Sequence, residues 1–173
     1  MTKVRAYVPG DWTGLDEAVY TNAHLTGTGE DPLGPQVFEA HAVTSALRLA
    51  LPDCDDEELE YVAMTAAAQD SVQWLRGETP SRRLVFAVDA EVVPVVGGEP
   101  SAVEVDVAIP GDVVAFHVDD ADAASTVRAA WVAVVTGEGD EAALLERCAD
   151  HELLWFAASE LDQVMRILAE HKL

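Results

Sequence analysis

Positive charge is what this sequence most lacks. Ten lysines and arginines face 32 aspartates and glutamates, a net charge of −22 with histidine neutral, and only Lys3 and Lys172 are lysines. So acidic a surface repels phosphate, which excludes direct binding of nucleic acid or of an anionic membrane through the charge field. It suits a protein partner, above all a basic one. An acidic mimic of nucleic acid is a second reading of the same fact. Long apolar runs are missing too: none reaches the roughly 20 residues a membrane-crossing helix needs. The opening MTKVRAYVPGDW has an interrupted apolar run and no small-residue cleavage site after it, so a cytoplasmic location is expected. Only two cysteines occur, Cys54 and Cys148, without metal-ligand spacing, and reduced thiols are expected. There is no G-x-S-x-G, no H-E-x-x-H, no phosphate loop and no dinucleotide fingerprint.

What is present is a globular chain. Half of its 173 residues are hydrophobic, enough to fold as one domain over residues 1–173. The clearest unit is Asp112 to Val135, where an apolar strand (Val113–Val118) meets an acidic corner and then an amphipathic helix. In that helix Ala124, Val127, Trp131, Val134 and Val135 recur at three- and four-residue steps. Alternation or apolar density predicts further strands at Lys3–Val8, Gln36–Val43, Arg83–Ala90, Val103–Ile109 and Leu153–Ala157. Helices are predicted after Thr13, after Thr44, over Asp53–Gly77, over Asp140–Cys148 and after Ser159, with Thr13, Thr44 and Ser159 as caps. Gly27, Gly29 and Pro32 mark a loop that runs to Gly34. The fold class is α+β: a mixed sheet of five to six strands with packed helices. The order strand, helix, strand, helix occurs at both ends of the chain and suggests an internal β-α-β-α duplication.

One constellation carries possible chemistry: His117, Asp119, Asp120 and Asp122. Strand ends that lead into helices often bind ligands. Oxygen-rich corners suit Mg²⁺ or Ca²⁺, and an adjacent imidazole extends the choice to Zn²⁺ or Mn²⁺. A divalent metal held by His117, Asp119 and Asp120 would make this a small metal-assisted hydrolase or phosphotransfer enzyme. Two acids before a helix are also ordinary caps, and in a regularly alternating strand His117 shares a face with Val113 and Ala115 as a packed interior residue. Cys148 and His151 form a weaker pair, a thiol near an imidazole, beside Asp150 and Glu152. His41 reads as a lone strand histidine. The run Asp53–Glu60 suits either a helix start or a docking surface for a basic partner. Trp131 and Trp155 fall at expected interior positions.

The segments VRAYVPG, AHAVTSALR, DDEELEYVAMTAAAQDS, FHVDDADAASTVRAA and HELLWFAASEL, in that order, resemble an uncharacterised family of short acidic actinobacterial proteins, a domain of unknown function. The resemblance implies a free-standing bacterial cytoplasmic protein and carries no catalytic residue with it. The chemistry and the charge together favour a binding or regulatory module, with the metal-assisted enzyme and the nucleic-acid mimic as the alternatives.

Overall fold

The computed structural model describes residues 2–16, 35–75 and 81–170. Its strands are β1 (Val4–Pro9), β2 (Gln36–Ala42), β3 (Leu84–Ala90), β4 (Val92–Pro94), β5 (Ala102–Val107), β6 (Val113–Asp119) and β7 (Leu153–Ala157). They form one seven-stranded sheet in the order β4-β5-β2-β1-β3-β6-β7. Every pairing is antiparallel, so the expected mixed sheet of five to six strands is corrected on both counts. The extra strand, β4, is three residues ending in proline, too short for alternation to register. Between β6 and β7 two helices, α3 (Ala124–Thr136) and α4 (Glu141–Cys148), pack on one another. The chain therefore returns to the end of β6 that it left, where Leu153 pairs with Asp119, and must run antiparallel. The first and last strand pairs, β1–β2 and β6–β7, are both sheet neighbours.

The remaining helices are α1 (Ser45–Ala50), α2 (Asp56–Ser71) and α5 (Leu161–Ala169), with a further helical segment at residues 12–16. Local chemistry sets their ends. Thr44 accepts from the Leu47 amide at 3.0 Å and opens α1, as expected. Asp55 and Glu58 exchange the two bonds of a capping box at the start of α2. At residue 12 the cap is Asp11, which accepts from the Thr13 and Gly14 amides, and Thr13 lies inside the turn. Ser159 is likewise no cap; Glu160 reaches back to the Ala157 amide at 2.7 Å. Longer carboxylate side chains took both places. The loop expected over Gly27 to Gly34 lies outside the described residues.

One face of the sheet buries Ala6, Val8, Phe86, Val105, Phe116 and Phe156 with Leu15 and, from α5, Val164 and Leu168. The other face sets Tyr7, Val85, Ala87 and Ala115 against Ala63, Ala67 and Ala68 of α2. These alanines let α2 lie close over β1, β2 and β3. Leu59 and Val72 are buried as well, and Tyr61 is exposed. α3 and α4 close a third cluster (Val127, Ala130, Cys148) on Val72, just beyond α2.

Two strand readings are overturned here. β3 and β6 slip register between Ala87↔Ala115 and Val88↔Val113, so Val114 is an extra, bulged residue. The bulge reverses the phase: Val113, Phe116 and Val118 face α5, while Ala115, His117 and Asp119 face the opposite side. His117 therefore does not share a face with Val113. Trp155, expected inside, is 61% exposed on β7, because α2 lies over the strands on the far side of β6.

Candidate functional site

The bend from β6 into α3 does join sheet to helix, and its acids have separate fates. Asp119 is wholly buried, with 0% of its side chain exposed against 2% for Arg83, its partner. Arg83 donates Nε to Oδ2 at 2.9 Å and Nη2 to Oδ1 at 2.8 Å, and its backbone amide adds a third bond to Oδ2 at 2.7 Å. Nη2 also donates to the His151 carbonyl at 3.0 Å, and Arg82 Nη1 to the Asp119 carbonyl at 2.8 Å. This two-pronged pair locks β3, β6 and the α4–β7 corner together. Asp120 caps a short 3-10 turn (Ala121–Ala123) through the Ala121 amide, and Asp122 is exposed. Buried Asp119 and exposed Asp120 and Asp122 thus share no surface with which to hold an ion. Among the described residues no group of three or more His, Cys, Asp or Glu is placed to hold a metal.

The second expected pair separates as well. Cys148 is buried, and desolvation pushes its thiol up, away from the thiolate a nucleophile needs. The His151 ring is engaged with Thr126, Nε2 to Oγ1 at 3.1 Å.

Three residues that the sequence left unconnected do meet. His41 Nδ1 lies 2.8 Å from Ser101 Oγ, and its Nε2 lies 2.8 Å from Asp70 Oδ2. Hydroxyl, imidazole and carboxylate in one chain is the arrangement of a serine nucleophile with its base and orienting acid. Exposure decides against that role. Ser101 and His41 are each 4% exposed, and the member facing solvent is the acid, Asp70. An attacking oxygen must reach a substrate, and this one is under the β2–β5 ladder, where His41 pairs with Ala102. The network instead ties α2 to the sheet. His41→Ala should cost about 1–3 kcal/mol in urea unfolding by orphaning the buried Ser101 hydroxyl. A loss below about 0.5 kcal/mol would show the network to be idle.

The remaining chemistry-bearing surface lies on the α2 side of β6 and β7. The Tyr7 and His117 rings meet edge to face with centroids 6.0 Å apart, and His117 pairs across the ladder with Trp155. The Tyr7 hydroxyl donates to Glu60 at 3.3 Å. Burial, reinforced by the Glu60 carboxylate, pushes the Tyr7 hydroxyl up to about 12. Burial, with the Arg5 guanidinium adding to it, lowers the His117 imidazole. Both shifts favour the neutral ring; Tyr7 is buried, so of the two it is His117 that reaches the surface. Next to it a cleft of about 130 Å³ opens between α2 and the start of β7, lined by Tyr61, Met64, Thr65, Arg83, Glu152 and Leu153 among others.

A family profile matches residues 4–165, from β1 into α5. The chain belongs to DUF6912, a family of unknown function. No curated protein and no solved structure matches it. In this DUF6912 chain every site described above lies within the matched span. No helix among the described residues is long and apolar enough to cross a membrane.

Of the sequence candidates, only His117 belongs to this surface. Trp155 was missed as a site residue. An exposed aromatic on an edge strand looks, in sequence, identical to a buried one on an inner strand. His151 and Glu152, flagged with Cys148, do line the cleft beside this surface.

Proposed function

We propose that this chain is a binding module whose docking surface is the α2 side of β6 and β7, and that its partner is a cationic protein segment. The observation that carries the reading is Trp155, 61% exposed and paired across the ladder with His117, whose ring packs in turn on the buried Tyr7. A large, stiff aromatic left in water on a packed sheet is what interface anchors look like. Its faces attract lysine or arginine through their negative quadrupole. Glu60 and Glu152 flank the surface, and the −22 charge steers cations toward it.

A short peptide of alternating lysine and valine, titrated at physiological salt and followed by calorimetry, tests this. Wild-type protein should bind it, and Trp155→Ala should weaken binding roughly tenfold or more with an unchanged melting temperature. Equal affinity for the variant would reduce the attraction to diffuse charge, which is also the behaviour of an acidic nucleic-acid mimic. A metal-assisted reading centred on His117, Asp119 and Asp120 requires Asp119 to leave Arg83. Heat above the buffer control on titrating Mg²⁺, Mn²⁺ or Zn²⁺ would revive it.

A further inference from the structure

We infer that the partner segment joins the sheet as an eighth strand along the outer edge of β7. This rests on the docking surface just proposed and names how the segment is held.

Among the described residues β7 ends the sheet, with β6 as its one neighbour. The opposite edge is blunted: β4 is three residues with a terminal proline. β7 has no such protection, since its sequence LLWFA holds neither proline nor charge. The backbone directions follow from one bond. The Asp119 amide donates to the Arg83 carbonyl at 3.2 Å, so Asp119 aims its backbone groups at the β3 side. By alternation Val118 and Phe116 aim theirs at β7, where they meet Leu154 and Phe156. Leu153, Trp155 and Ala157 must then point outward. Glu160 takes the Ala157 amide at 2.7 Å, and among the described residues nothing pairs with the edge groups of Leu153 and Trp155.

Charge selects the occupant. Between Arg147 and Arg166 the chain carries Asp150, Glu152, Glu160 and Asp162 and no lysine or arginine. A second copy, also at −22, would be repelled from this edge, whereas a basic strand is drawn to it. Side chains of an added strand alternate between faces. Those on the α2 side would lie beside Trp155 and near Glu152, favouring lysine or arginine. Those on the α5 side would lie beside the exposed Leu154, favouring apolar residues. The occupant is therefore an extended segment that alternates cationic and apolar residues.

Amide hydrogen exchange of the full chain, read by NMR with and without the alternating lysine–valine peptide, tests the mode. The Leu153 and Trp155 amides should slow about tenfold or more at saturation, while those of Leu154 and Phe156, already paired with β6, change little. Peptides N-methylated at every lysine or at every valine provide the second arm, and at least one should bind about tenfold more weakly. If the plain peptide fails to bind, the docking surface itself is refuted. If it binds in a Trp155-dependent way without protecting Leu153 and Trp155, strand addition is refuted and the surface stands. Protection of both amides before any peptide is added, with a dimer in sedimentation, would overturn the inference in favour of a second copy.

Discussion

Arg83→Met should destabilise the fold by about 3–5 kcal/mol, the range expected when one member of a buried ion pair is removed. The change leaves the Asp119 carboxylate at 0% exposure without two of its donors, the guanidinium Nε and Nη2, while the backbone amide of residue 83 remains. A buried carboxylate left underpaired costs desolvation rather than the modest worth of one hydrogen bond. Removing both members tests the explanation. Arg83→Met combined with Asp119→Leu should recover much of the loss, because well-packed apolar residues often replace a buried pair at little cost. Urea unfolding of the two single variants and the double measures all three. A single-variant loss below about 1 kcal/mol, or a double variant worse than both singles, would remove the pair from the account of this fold.

The second large effect is Phe116→Ala, again about 3–5 kcal/mol by the same measurement. Phe116 is 1% exposed and meets Phe86 edge to face at 6.0 Å, under Val164 and Leu168 of α5. Its informative control is Val114→Ala. Regular alternation would place Val114 and Phe116 on the same buried face, and the two truncations would then both be costly. The bulge leaves Val114 37% exposed, so its truncation should stay within about 0.5 kcal/mol. A loss above about 2 kcal/mol at Val114 would remove the bulge, and with it the phase that turns His117 and Asp119 toward α2.

Much of the fold was legible because its signals are local. The strand at Arg83–Ala90 is apolar from Leu84 to Val88 and proves to lie between β1 and β6. The cap at Thr44 and the acidic first turn of α2 were readable from neighbouring residues. Errors came where a residue's role depends on what lies above it. Tyr61 and Trp155 have interior spacing and face water, whereas Ala63 and Ala67, small enough to permit close approach, do form the contact between α2 and the sheet. Periodicity reports which residues share a face; it does not report whether that face is covered.

The candidate site divides in the same way. Asp119 was singled out correctly as the joint between sheet and helix, yet its partner Arg83 is 36 residues distant in the chain. His41, Asp70 and Ser101 are spaced 29 and 60 residues apart around the imidazole. Such pairings are chosen by strand order, and no local pattern encodes strand order.

By itself the sequence determined the acidity, the α+β class, the positions of most elements and the family. The three-dimensional arrangement alone decided which acid is sealed in an ion pair, which histidine bridges α2 to the sheet, and which tryptophans are left in water. The reason is that composition and periodicity act over a few residues, whereas burial depends on which segment packs over which, and here α2 covers β1, β2 and β3 while Trp155 on β7 remains bare.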